Sequence, residues 1–172
     1  MLHQSLRLLF LFMSVTVILL SGCNETEKEV VHHYYMPLDG ESEHWVLSDF
    51  EVVMTPEALK VGNGKLMMKQ VEEYESSSMS FDTHLVVNGE DSIVHSGAVS
   101  GNGIDIAEES TGAIEGGPEL TDEGDPIRLK DVSRIYMTVK WRDTDKKETM
   151  EERIDLYDQG LKEDSFLDEE GY

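Results

Sequence analysis

The stretch His32-His33-Tyr34-Tyr35-Met36, followed closely by Asp39, Glu41, Glu43 and His44, gathers imidazoles, a thioether and carboxylates in one short run. Donors of these kinds suit copper or zinc. Adjacent residues of a strand point to opposite faces, so His32 and His33 cannot both serve one site in regular β structure. The plainer reading is a tether leading into a first strand, which leaves His32, His33 and His44 as weak metal candidates; no cofactor is expected. Met36, Met54, Met67, Met68, Met79, Met137 and Met150 could in principle hold Cu(I), but most alternate with core positions and read better as flexible core filler. The acidic residues of 101–126 and the Asp143-Thr144-Asp145 turn offer oxygens for calcium, yet neither matches a calcium-loop pattern, and the turn, lacking the required glycine and a ligand-rich continuation, reads as hairpin turn chemistry. For nucleophilic catalysis there is no serine elbow, no serine-lysine pair at helical spacing and no histidine-glutamate zinc helix. His95-Ser96-Gly97 comes nearest, so a hydrolase would have to gather His84 or His95 with carboxylates in space. The expectation is a protein that is not an enzyme.

The remaining chemistry belongs to Cys23, the only cysteine in the chain. Residues 8–20 are an unbroken run of apolar and small residues with Arg7 on the amino side, the layout of a secretory signal peptide. Those thirteen residues fall short of the roughly 20 needed to span a bilayer. Leu20-Ser21-Gly22-Cys23 resembles the lipobox of bacterial lipoproteins. The resemblance implies that Cys23 takes a diacylglycerol, that residues 1–22 are removed, and that acyl chains such as palmitate hold the protein at the membrane. Two acyl chains anchor stably where one does not, each buried methylene contributing about 0.8 kcal/mol. With its thiol so used, the mature chain has no disulfide, cysteine metal site or cysteine nucleophile, and must fold on its core alone.

Charge narrows the partners. None of the 36 acidic residues precedes Cys23 and only Arg7 of the 14 basic ones does, so the mature chain carries 13 against 36, a net −23 with histidines neutral. Such a field repels nucleic acid and acidic headgroups and attracts neutral or basic partners. Solubility of an exposed protein is the simpler source of the same charge.

What must position any site is a β architecture, because the hydrophobic pattern repeatedly has period two with turn residues between. Residues 133–142 put Ile135, Met137, Val139 and Trp141 on one face, and residues 148–157 alternate again after a polar turn, which predicts a hairpin. Residues 78–88 and 92–99, joined at Asn88-Gly89, predict a second. Residues 45–54 and 66–74 supply further strands, with 59–61 a short one before the Gly62-Asn63-Gly64 turn. Six to eight strands without intervening helices suit an antiparallel two-sheet β-sandwich. Trp45 and Trp141 are expected as core anchors rather than sugar platforms. Residues 101–126 are rich in glycine and acid and poor in apolar residues, and read as a long disordered acidic loop.

The expected organisation is a signal peptide over 1–22, lipidated Cys23 with a polar tether to 31, a sandwich over 32–160 carrying the acidic loop 101–126, and an acidic tail over 161–172. Gly40-Glu41-Ser42-Glu43-His44-Trp45 and the strand ending Val139-Lys140-Trp141 resemble small uncharacterised lipoproteins of low-GC Gram-positive bacteria. That resemblance implies an outward-facing β-sandwich on the cell membrane and no activity. The reading is a non-enzymatic binding module of the cell envelope with a neutral or basic protein or polymer as partner. A divalent-metal-binding lipoprotein is the first alternative and a cryptic envelope hydrolase the second.

Overall fold

Alternating runs become strands wherever one face can be buried, and this chain supplies ten of them among the described residues, 32–144 and 147–161 of a computed structural model. The expected signal peptide and tether, Cys23, Asp145 and nearly all of the acidic tail lie outside the described residues. In chain order the strands are β1 (Tyr34–Glu41), β2 (Trp45–Met54), β3 (Leu59–Gly62), β4 (Lys65–Met68), β5 (Glu75–Val87), β6 (Glu90–Asp105), β7 (Glu108–Ser110), β8 (Ala113–Gly116), β9 (Val132–Asp143) and β10 (Glu148–Asp158). Among the described residues no helix is long and apolar enough to cross a membrane.

Two antiparallel sheets pack face to face, as the alternation predicts. In the first, β1 lies on one side of β2 and β3 and β4 lie in succession on the other, with β8 paired to β3 and β7 to β4. The two outer ranks break in step, at Gly62-Asn63-Gly64 and at Thr111-Gly112. Asn63 N–H donates to the Gly112 carbonyl at 2.6 Å, Thr111 N–H to the Gly64 carbonyl at 2.9 Å, and Gly64 N–H to Thr111 Oγ1 at 2.9 Å. Gly62 sits at φ +131°, where a side chain would be strained. The second sheet has the order β10-β9-β5-β6. Its two predicted hairpins are present. Asn88 and Gly89, at φ 51° and 87°, form the two-residue turn in which both central residues are left-handed, the geometry an Asn-Gly pair favours.

The inward faces interlock around Trp45, Phe50, Phe81, Met137 and Trp141. The two tryptophans anchor the core from facing sheets, edge to face with centroids 5.6 Å apart. Met36, Met54, Met68, Met79 and Met137 are buried on five different strands, where they fill the core. Each large side chain fully withdrawn from water contributes about 1.5–3 kcal/mol before ordering costs.

Two expectations need correction. The strand expected over 66–74 ends at Met68, and Gln70 at φ 63° belongs to a turn. The segment 101–126 is not a single unstructured loop. β6 runs on to Asp105, Ile106 and Ala107 are buried, β7 and β8 extend the first sheet, and Leu120 bridges Pro126. Strands at a sheet edge are held by backbone pairing and bury little side chain, so they leave no hydrophobic period to read.

Candidate functional site

The two long sides of the sandwich differ. On one, β1 meets β10 so closely that a Cβ added to Gly40 would lie 2.7 Å from the Asp155 carbonyl oxygen and 2.7 Å from Ile154 Cγ2. On the other, β6 faces β7 and the Thr111-Gly112 break after it across a groove of about 220 Å3. Inward-facing Met79 and Phe81 form its apolar floor, Gly97 and Val99 of β6 one wall, and Glu109 to Gly112 the opposite wall. Glycine at 97 lets the Phe81 ring pack against β6, since a Cβ there would run into that ring. Val99, opposite Met79 in register, is partly exposed through it.

β6 is the terminal strand of its sheet, so among the described residues one edge of its backbone has no strand partner. Residues 92–104 contain no Asp, Glu, Lys or Arg, in a chain that is 29% charged. Exposed edges usually carry charge or proline against pairing with other chains. Of the other terminal strands, β10 bears Glu148, Glu151, Glu152, Arg153, Asp155 and Asp158, β1 contains Pro37 with Asp39 and Glu41, and the short β7 and β8 carry Glu108, Glu109 and Glu115. Acid surrounds the open edge, with Glu109 on the groove wall and Glu75, Asp82 and Asp105 on or opposite β6. Asp105 accepts N–H bonds from Tyr74 and Ala107, which hold its carboxyl below the usual range.

The histidines are distributed rather than pooled. His32 and His33 are exposed at the start of β1, where His32 stacks on Tyr34. β1 then runs eight residues, roughly 25 Å, before the turn carrying Glu43 and His44. A site combining His32 or His33 with His44 is therefore not assembled. His44 instead meets Glu152 of β10. Its amide donates to Glu152 Oε2 at 2.9 Å, and its ring Nδ1 is bonded to Glu152 Oε1. Burial pushes the Glu152 carboxyl up, but the His44 amide, the nearby Ser42 hydroxyl and the His44 ring together hold it below the ordinary value. Ser42 Oγ itself is buried outside strict hydrogen-bond geometry. Glu152 escaped the sequence reading because it lies 108 residues from His44 and belongs to no local pattern.

His84 and His95 sit on opposite faces of the second sheet. His95 is buried, packed edge-on to Phe81 at 5.3 Å and over Phe50 at 6.2 Å, and burial pushes its pKa down. A hydrogen bond to the Thr111 backbone ties it to the opposite sheet. His84 lies on the outer face, its ring parallel to Tyr136 at 4.4 Å and its Nδ1 2.8 Å from Asp91 Oδ1. Tyr136 donates to Asp91 Oδ2 at 2.5 Å, and the Arg153 guanidinium stands 3.7 Å from the centre of the Tyr136 ring. The Tyr136 bond holds the Asp91 carboxyl down, while the Asp91 bond holds the Tyr136 hydroxyl up. These groups satisfy one another on an open sheet face. Neither histidine lines the groove or the two clefts beside residues 119–131.

Comparison with known protein families, with curated proteins and with solved structures finds no match for this chain.

Proposed function

We propose that the protein is a lipid-anchored binding module on the outer face of the cytoplasmic membrane, and that it takes an extended, neutral or basic segment of another envelope protein along β6. The observation that carries this reading is the uncharged, unpaired edge over 92–104 beside an apolar groove, in an otherwise acidic molecule. An extended segment gains main-chain hydrogen bonds from a free sheet edge and specificity from side chains that enter a pocket. Val99 and Phe81 offer apolar contact, and Glu109 offers a counter-charge. The acidic surroundings speed encounter with a basic partner and disfavour acidic ones. Anchoring through Cys23 would concentrate the module at the surface where such partners reside.

The test is photo-crosslinking in cells that make the protein, with the photoreactive residue at Ser100 on the open edge or at Glu151 on the guarded one. A discrete adduct from position 100 that is absent from 151, weakened by salt and lost with Ala98→Pro, is the expected result. Equal adducts from both positions, or an adduct indifferent to Ala98→Pro, would refute strand addition at β6.

A further inference from the structure

We infer that Glu43, His44 and Glu152 form a binding site for a divalent transition-metal ion of the zinc kind, seated across the end of the sandwich. One ligand atom from each lies within 4.8 Å of the others, so small side-chain rotations bring all three onto one ion. The donor set is one imidazole nitrogen and two carboxylate oxygens, which suits zinc and its late first-row neighbours, whereas calcium and magnesium favour oxygen alone. Three protein ligands leave a fourth tetrahedral position to water or to a group of a partner.

The site is built on a fixed frame. Glu43 and His44 occupy the turn between β1 and β2, where Ser42 N–H donates to the Trp45 carbonyl at 2.9 Å and Lys69 N–H to the His44 carbonyl at 2.7 Å. The His44 ring rests against Trp141 at 5.8 Å between centroids, which limits its swing. Glu152 is held in β10 opposite Val139, and its second oxygen is oriented by the His44 amide. Glu43 places a second carboxylate beside the hydrogen-bonded His44 and Glu152. Lys69 does not neutralise them, because its ammonium is engaged by Glu41 at 2.9 Å and the Ser42 carbonyl at 2.7 Å. His44 is about two-fifths exposed and Glu152 much less, so an ion can enter from solvent and be held from the protein side. Bound there, it ties the first sheet to the second through the β1–β2 turn and β10.

This inference is independent of strand addition at β6 and is tested separately. The full-length chain, purified in detergent and stripped with chelator, is titrated with zinc chloride while heat release gives stoichiometry and circular dichroism gives the melting midpoint. Both tryptophans lie beside the site, so their fluorescence reports binding as well. One equivalent of zinc should bind and raise the midpoint, with calcium and magnesium at the same concentration doing neither. Glu43→Gln removes an exposed ligand and should weaken zinc at least about tenfold, the scale on which loss of even an outer-shell partner acts. Its midpoint in chelator should equal that of the unsubstituted protein, showing that the fold is intact. His44→Ala should abolish stoichiometric binding. Zinc binding that survives both substitutions, calcium competing on equal terms, or no saturable binding at all would overturn the inference.

Discussion

Gly40→Ala should destabilise the sandwich out of proportion to the one methyl group it adds. The new Cβ would stand 2.7 Å from the Asp155 carbonyl oxygen, 2.7 Å from Ile154 Cγ2 and 2.8 Å from Leu156 Cδ2, against comfortable separations of about 3.5–4.0 Å. One of these neighbours is backbone of a strand paired along its length to β9, and Ile154 is fully buried, so neither moves without disturbing the core. Overpacking of this kind costs about 1–3 kcal/mol. For a domain of this size each kcal/mol is worth about 2–4 °C, which places the fall in melting midpoint at roughly 2–12 °C. The control is Gly116→Ala at the end of β8, where the added Cβ meets nothing within 4 Å. That substitution should leave stability within about 0.5 kcal/mol or raise it. Urea unfolding followed by far-ultraviolet circular dichroism measures both. The slope with urea should stay constant, so that a shift in midpoint reads as stability. If Gly40→Ala proves as harmless as Gly116→Ala, the β1–β10 side is not closed, and the contrast with the open groove loses its basis.

Other consequences follow from burial and from the expected anchor. His95 has a folded pKa pushed below the ordinary 6.5 by desolvation, so the unfolded chain takes up the proton first. Its contribution is therefore present above about pH 6.5 and is lost as pH falls toward the lowered folded value, with a limiting slope of about 1.4 kcal/mol per pH unit. Urea midpoints measured from pH 7.5 down to 5.5 should fall, and His95→Leu should flatten that part of the curve; an unchanged slope in the variant would assign the acid sensitivity elsewhere. Cys23→Ser should abolish incorporation of labelled palmitate and move the protein from the membrane fraction to the soluble one. Retention at the membrane without label would mean that the apolar run over 8–20 stays on as the anchor.

Much of the fold is written in local pattern. The bounds 45–54 match β2, although its inward phase slips by one residue at Asp49, and the Asn88-Gly89 pair specifies the turn between β5 and β6 because few other residues tolerate two successive left-handed conformations. Trp45 and Trp141 stand out as core because each sits in a run whose neighbours at spacing two are apolar. Where burial does not organise a strand, the pattern falls silent. β7 and β8 are rich in exposed acid and glycine, and their strand character comes from hydrogen bonds to β4 and β3, partners that a linear reading cannot see.

Sequence alone determined the acid excess and the alternation that makes this chain all-β, and it carries the Leu20–Cys23 pattern on which the proposed anchor rests, since each resides in residue type or in spacing along the chain. Tertiary structure decided the rest. It placed Glu152 against His44 across 108 residues, separated His32 and His33 from that pair by the length of β1, and set His84 and His95 on opposite faces of one sheet. It also left the outer edge of β6 without a partner strand among the described residues, because strand order fixes which edge is terminal. A site built across sheets depends on register and packing angle, and those are properties of the whole fold rather than of any segment.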